Sequence, residues 1–150
     1  MILKQGNMWD AYEEVTYFIV TTNATVTKDG RLVMGRGIAK QAVEKFPGID
    51  YEIGEELPSL TDEYGRYGCL IGEPISIFQV KTFWGNPADL GLIEFSTNML
   101  NFIADKHAEA TFALNFPGIG NGGLRRELVL PIIQTLPDNV QVWEYGPSTN

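Results

Sequence analysis

The chain has 150 residues, 44% hydrophobic, 20% charged and 11% aromatic, which is one domain's worth of ordinary globular sequence. Eleven Lys+Arg against 19 Asp+Glu give a net charge of -8, a surface that repels phosphate backbones and argues against non-specific nucleic-acid binding. One cysteine, Cys69, excludes an internal disulfide, and one histidine, His107, excludes His-rich metal motifs. No apolar run approaches the length of a membrane span, and Met1–Gly6 lacks the pattern of a leader peptide, so the expectation is a cytoplasmic protein with no membrane attachment, metal or cofactor.

In chain order, Tyr17-Phe18-Ile19-Val20, continuing into Thr21-Thr22, predicts a buried strand, and Lys28-Asp29-Gly30 predicts a turn. Ile38, Ala42, Val43 and Phe46 form one helical stripe, stopped by Pro47-Gly48. Residues 50–63 carry six acids, Gly54 and Pro58, and are expected to form an exposed acidic excursion with little regular structure. A strand is predicted over 75–80. Asn86-Pro87-Ala88-Asp89 predicts a helix start, with Asn86 as N-cap and Pro87 at the first helical position. Leu92, Phe95, Met99, Phe102 and Ile103 would form that helix's apolar stripe, with Lys106 and His107 at its end, where the helix dipole favours cations. Residues 111–115 predict a strand. Leu128, Ile132 and Leu136 predict a third helix, with Pro131 near its start or bending it. Val140-Gln141-Val142-Trp143 predicts the last strand. Alternating strands and helices specify an α/β domain with a largely parallel or mixed sheet and helices on both faces, spanning 1–150 without a linker.

Two glycine-rich loops stand out: Met34-Gly35-Arg36-Gly37-Ile38-Ala39, and Pro117-Gly118-Ile119-Gly120-Asn121-Gly122-Gly123. Each lies between a predicted strand and a helix, where open α/β sheets bind ligands. Without Cβ atoms the backbone N–H groups can approach a ligand closely, and helix starts add unpaired donors. Two such loops can hold a diphosphate between them without a lysine or arginine. The second loop also satisfies G-x-G-x-x-G, but only one strand follows it, which leaves no room for the rest of a dinucleotide-binding domain.

The ordered set of motifs resembles the macro domain family of ADP-ribose binders. Gln5-Gly6-Asn7-Met8 is similar to the family's adenine-receiving segment, Tyr17 to Asn23 to its central strand, and the two glycine loops to its phosphate loops. The branch containing terminal ADP-ribose protein glycohydrolase is the most similar, through the short Met-Gly-x-Gly-Ile-Ala loop and Lys81, which stands just after the 75–80 strand. The resemblance implies a three-layer α/β/α fold with a central mixed sheet. It also implies a site built from Gly6, Asn7 and Met8 at the adenine, Asn23 at the distal ribose, residues 34–38 and 117–123 at the diphosphate, and Trp143 or Tyr145 stacked on the base. The implied ligand is ADP-ribose or a derivative, free or attached to a macromolecule. Two departures bear on activity. Asn7 replaces the usual aspartate, and Gly122-Gly123-Leu124 occupies the place of the branch's catalytic aspartate, with Glu127 the nearest carboxylate downstream. Lys81 as a nucleophile, hydrolysis of a 1″-linked group without it, and simple binding all stay open at this point. So do the alternatives of a ligand-free interaction module and a Rossmann-like nucleotide binder.

Overall fold

The computed structural model describes residues 1–145. Six strands form one sheet: β1 (Ile2–Gln5), β2 (Tyr17–Thr22), β3 (Cys69–Leu70), β4 (Ser76–Gln79), β5 (Phe112–Asn115) and β6 (Val140–Glu144). Their spatial order is β1-β6-β5-β2-β4-β3. All neighbours pair in parallel except β3 with β4, so the sheet is mixed, as expected. Four helices cover it: α1 (Gly37–Lys45), α2 (Ile49–Leu60), α3 (Leu90–Lys106) and α4 (Arg126–Ile133).

The strand period of two divides the core. Phe18 and Val20 of β2 point to the layer holding Ala39 and Ala42 of α1 and Leu57 of α2. Ile19 between them, with Phe78, Phe112 and Leu114, faces Ile93 and Leu100 of α3 and Val129 and Ile133 of α4. Both faces are therefore covered, which is why these strands read as continuous apolar runs. Among the described residues no helix is long and apolar enough to cross a membrane.

Four expectations need correction. The acidic segment 50–63 is mostly helix α2. Gly48 takes a left-handed φ of 92° and turns the chain out of α1, while Asp50 and Glu52 in the first turn complement the helix dipole. Ile49, Ile53 and Leu57 supply an apolar stripe at i, i+4 and i+8, which the glycine and proline in the same stretch obscured. The helix start at Asn86 also moves: the cap is Asp89, whose Oδ1 accepts from the Leu92 N–H at 3.1 Å. Asn86 is used otherwise, its N–H donating to the Phe83 carbonyl and its own carbonyl accepting the Lys81 amine. The α3 stripe is rotated accordingly. Leu92, Ile93, Ser96, Thr97, Leu100 and Ala104 are buried, whereas Phe102 is 65% exposed. Pro131 sits in the second half of α4, so of the two placements expected for it the one near the helix start does not hold. His107 caps the end of α3, as its position implied.

Candidate functional site

A cleft of about 870 Å3 opens at the carboxyl ends of β2, β4, β5 and β6. Its walls are the two glycine loops. The first runs into α1: Gly37 begins that helix with φ 56°, a left-handed conformation that suits glycine, and Arg36 at the N-cap position makes no side-chain cap. The second does not lead directly into a helix. Gly120–Gly122 form a single 3-10 turn, and α4 begins only at Arg126.

The backbone N–H groups of residues 35–39 and of residues 118–121 have no hydrogen-bond partner among the described residues. All nine residues line the cleft, so these unpaired donors stand on its two walls. The walls nearly meet: a Cβ placed on Gly37 would lie 3.5 Å from the Asn121 Nδ2. Gly118 takes a left-handed φ of 78°, which suits glycine, and a Cβ there would come within 2.6 Å of the Ile93 Cδ1. Residues expected at the diphosphate, Met34 to Ile38 and Gly118 to Gly123, all line the cleft. Pro117 does not; it is buried behind the wall, following the buried Phe116.

Gly6, Asn7 and Met8 line one end, beside Trp143 and Tyr145. Asn7 caps a short 3-10 turn, Met8–Ala11, its Oδ1 accepting from the Trp9 N–H at 3.1 Å, so that oxygen already has one partner. Trp143 is half-buried against Gly6 and its Nε1 donates to the Gln141 Oε1 at 3.0 Å. Tyr145 is 71% exposed at the mouth. Trp143 is thus the anchored aromatic of the two.

Asn23 and Lys81 lie at the other end. Asn23 is buried, and both ends of its amide are occupied: Nδ2 donates to the Val33 carbonyl at 2.9 Å, and Oδ1 accepts from the Thr25 N–H at 2.8 Å. It holds the exit of β2 against the approach to the first glycine loop. Lys81 Nζ donates to the carbonyls of Asn86, at 3.1 Å, and Trp84, at 3.3 Å. No carboxylate pairs with it among the described residues. Burial, and then the like charge of Arg36, hold its amine below the ordinary lysine range. The one acid lining the cleft among the described residues, Glu144, is engaged by Arg126 through two bonds of 2.9 Å. Gly122, Gly123 and Leu124 hold the sequence position at which the resemblance would place a catalytic aspartate.

Sequence reasoning missed the support beneath these residues. Gln79 is fully buried. Its Oε1 accepts from the N–H groups of Tyr67 and Gly68, and its Nε2 donates to the carbonyls of Gly65 and Lys81. The Tyr67 hydroxyl contacts the Thr22 Oγ1 and donates to the Asn23 carbonyl at 2.7 Å. One satisfied network therefore fixes the backbone at both Asn23 and Lys81. Thr21 and Asn115 close the floor with a reciprocal pair: the Thr21 N–H donates to Oδ1 at 3.0 Å and Nδ2 donates to the Thr21 Oγ1 at 2.8 Å. A polar residue inside a predicted strand, as Gln79 is, was the available signal. Among the described residues no cluster of three metal-ligating side chains occurs.

Neither a protein-family model nor a curated protein sequence matches the chain. Solved structures do. The macrodomain of DarG from Thermus aquaticus is 26% identical with a TM-score of 0.72, covering 97% of each chain. The macrodomain of DarG from Mycobacterium tuberculosis is 25% identical with a TM-score of 0.66, covering 97% of this chain and 99% of that one. DarTG from Thermosipho africanus, solved in complex with ADP-ribose, is 22% identical with a TM-score of 0.74; this chain aligns over 98% of its own length and spans 43% of that protein.

Proposed function

We propose that this chain, a macrodomain by its fold, binds ADP-ribose or a derivative with its diphosphate between the two glycine loops. The observation that carries the reading is the two sets of N–H groups without partners of their own on opposite walls of one cleft, five at 35–39 and four at 118–121. The four non-bridging oxygens of a diphosphate need about that many donors, and backbone dipoles supply them in a protein whose net charge of -8 would otherwise repel an anion. The adenine then lies at the Gly6–Met8 end, against Trp143, and the distal ribose at the Asn23–Lys81 end. The neighbour holding ADP-ribose supports the same reading.

Calorimetry tests it. ADP-ribose is expected to bind and AMP, which lacks the bridging diphosphate and second ribose, to bind at least tenfold more weakly. At a hundredfold excess over Kd, mass action adds about 2.7 kcal/mol and raises Tm by roughly 5–10 °C. The variant Gly35→Glu places bulk and negative charge in open space at a residue with ordinary φ, so it should abolish binding without strain. Gly120→Glu is a poorer test, because φ there is 67° and any side chain is strained. Equal binding of AMP and ADP-ribose, or full affinity in Gly35→Glu, would exclude the two-loop cradle.

The state of Lys81 favours a second reading, hydrolysis at the distal ribose. Its neutral amine attacks C1″; the bond to the linked group breaks and the departing atom takes up the amine's proton. Ring opening leaves a Schiff base, which water hydrolyses to release ADP-ribose and restore the lysine. A lysine in the cleft with a depressed pKa and no counter-ion supports this step, and no carboxylate is needed to begin it. Borohydride added during incubation with ADP-ribose should then trap an adduct at Lys81, absent in Lys81→Ala, which still binds the ligand. Binding without any adduct would make the protein a reader alone.

A further inference from the structure

Helix α2 and the β3 edge, away from the glycine loops, build a second surface. Ile49, Ile53, Leu57 and Leu60 of α2 face Leu70 and Ile71 at the β3 edge across a groove of about 260 Å3, with Ile75 and Ile77 as its floor. That volume is below the usual size of a small-molecule site and suits a few aliphatic side chains. Carboxylates stand on both banks: Glu52 and Glu56, one helical turn apart, on α2, and Glu73 opposite. Among the described residues none of the three forms an ion pair, and no lysine or arginine lines the groove. Residues 50–63 hold six acids and no base. The groove lies toward the start of β4, whereas the cleft lies at its end, and the two share no residue.

We propose that this groove docks a peptide segment of a protein partner, with aliphatic anchors seated on Ile53, Leu60, Leu70 and Ile71 and flanking lysines or arginines facing Glu52, Glu56 and Glu73. The apolar floor explains why the segment must carry aliphatic side chains. The carboxylates on both banks explain why its flanks must be basic: an acidic or neutral partner would leave three charges at its rim unanswered. Leu60, half exposed at the end of α2, is the anchor most accessible to a partner. The proposal is independent of what the cleft holds.

Fluorescence anisotropy with a labelled peptide of alternating leucine and lysine tests it on the full chain. The expected result is binding that weakens by about tenfold or more in Glu52→Lys/Glu56→Lys, and weakens also in Leu60→Gln, both folded by circular dichroism. A lysine–serine peptide of equal charge should bind at least tenfold more weakly than the leucine–lysine one. Glu94→Lys/Asp105→Lys, the same change of net charge on exposed residues of α3 on the other face of the sheet, should leave the affinity within about twofold. Equal binding of the two peptides, equal loss in Glu94→Lys/Asp105→Lys, or no binding at all would overturn the proposal. So would sedimentation showing a dimer that Leu60→Gln dissociates, since the occupant would then be a second copy of this chain.

Discussion

Arg36 and Lys81 are the two charged side chains of the cleft that no acid neutralises among the described residues. Their proximity has a measurable consequence. Each proton on Lys81 is held against desolvation and against the Arg36 charge, so the amine loses it at lower pH than an ordinary lysine. If the neutral amine is the nucleophile, adduct formation rises with pH through that depressed pKa and levels off above it. Arg36→Ala removes the like charge but leaves the burial, so the rising limb should move to higher pH without disappearing. An unmoved limb in Arg36→Ala would show that the two groups do not interact. The same depression has a stability sign. Unfolded chains bind the proton more tightly than folded ones in the window between the two pKa values, so this residue's contribution to stability increases as pH rises through it.

At the scale of elements, α2 shows what composition hides. Its Gly54 reads as a helix breaker, yet it is a contact residue: a Cβ there would lie 2.2 Å from the Gly30 carbonyl oxygen and 2.8 Å from the Leu32 nitrogen. The Leu32 N–H donates to the Asp50 carbonyl at 2.9 Å, which docks the helix on the 30–32 turn. Gly54→Ala would gain about 1 kcal/mol of helix propensity in isolation. Here the clash is with backbone, which cannot swing aside, so a net loss of about 1–3 kcal/mol is expected, read as a lower urea midpoint. A raised midpoint would mean that α2 does not sit on that turn. The strands were legible because both sheet faces are covered and apolar runs announce them: β2 lies where the run 17–22 placed it. The two-residue β3 carries too little pattern to announce itself. Likewise Asn86-Pro87 has the letters of a helix start, but the cleft uses those residues first. The glycine loops were legible as cleft walls because a backbone free to approach a ligand is a property that glycine alone advertises, and their hold on a diphosphate is the proposal. The Gln79–Tyr67 network beneath Asn23 and Lys81 was not, because it joins residues from separate parts of the chain that only the fold brings together.

For the whole molecule, the net charge of -8 and the ligand proposed for the cleft act against each other at long range. An anion approaching the protein meets repulsion from the overall field and attraction from nine backbone dipoles, Arg36 and Lys81 close by. Salt screens both: it removes the repulsion, which extends over about a Debye length, and weakens the contact with the two cations. In the proposed complex the backbone donors pair at hydrogen-bond distance with the diphosphate and are screened least. The opposing changes should nearly cancel. The affinity for ADP-ribose is therefore expected to vary by less than about threefold between 50 and 500 mM NaCl. The groove beside α2 differs in sign, since there the overall field and the local carboxylates both attract a basic segment, and its affinity should fall steeply over the same range. Titrating each ligand at three salt concentrations separates the cases. A steep salt dependence for ADP-ribose would mean that the two side-chain cations, rather than the backbone donors of the glycine loops, hold the diphosphate.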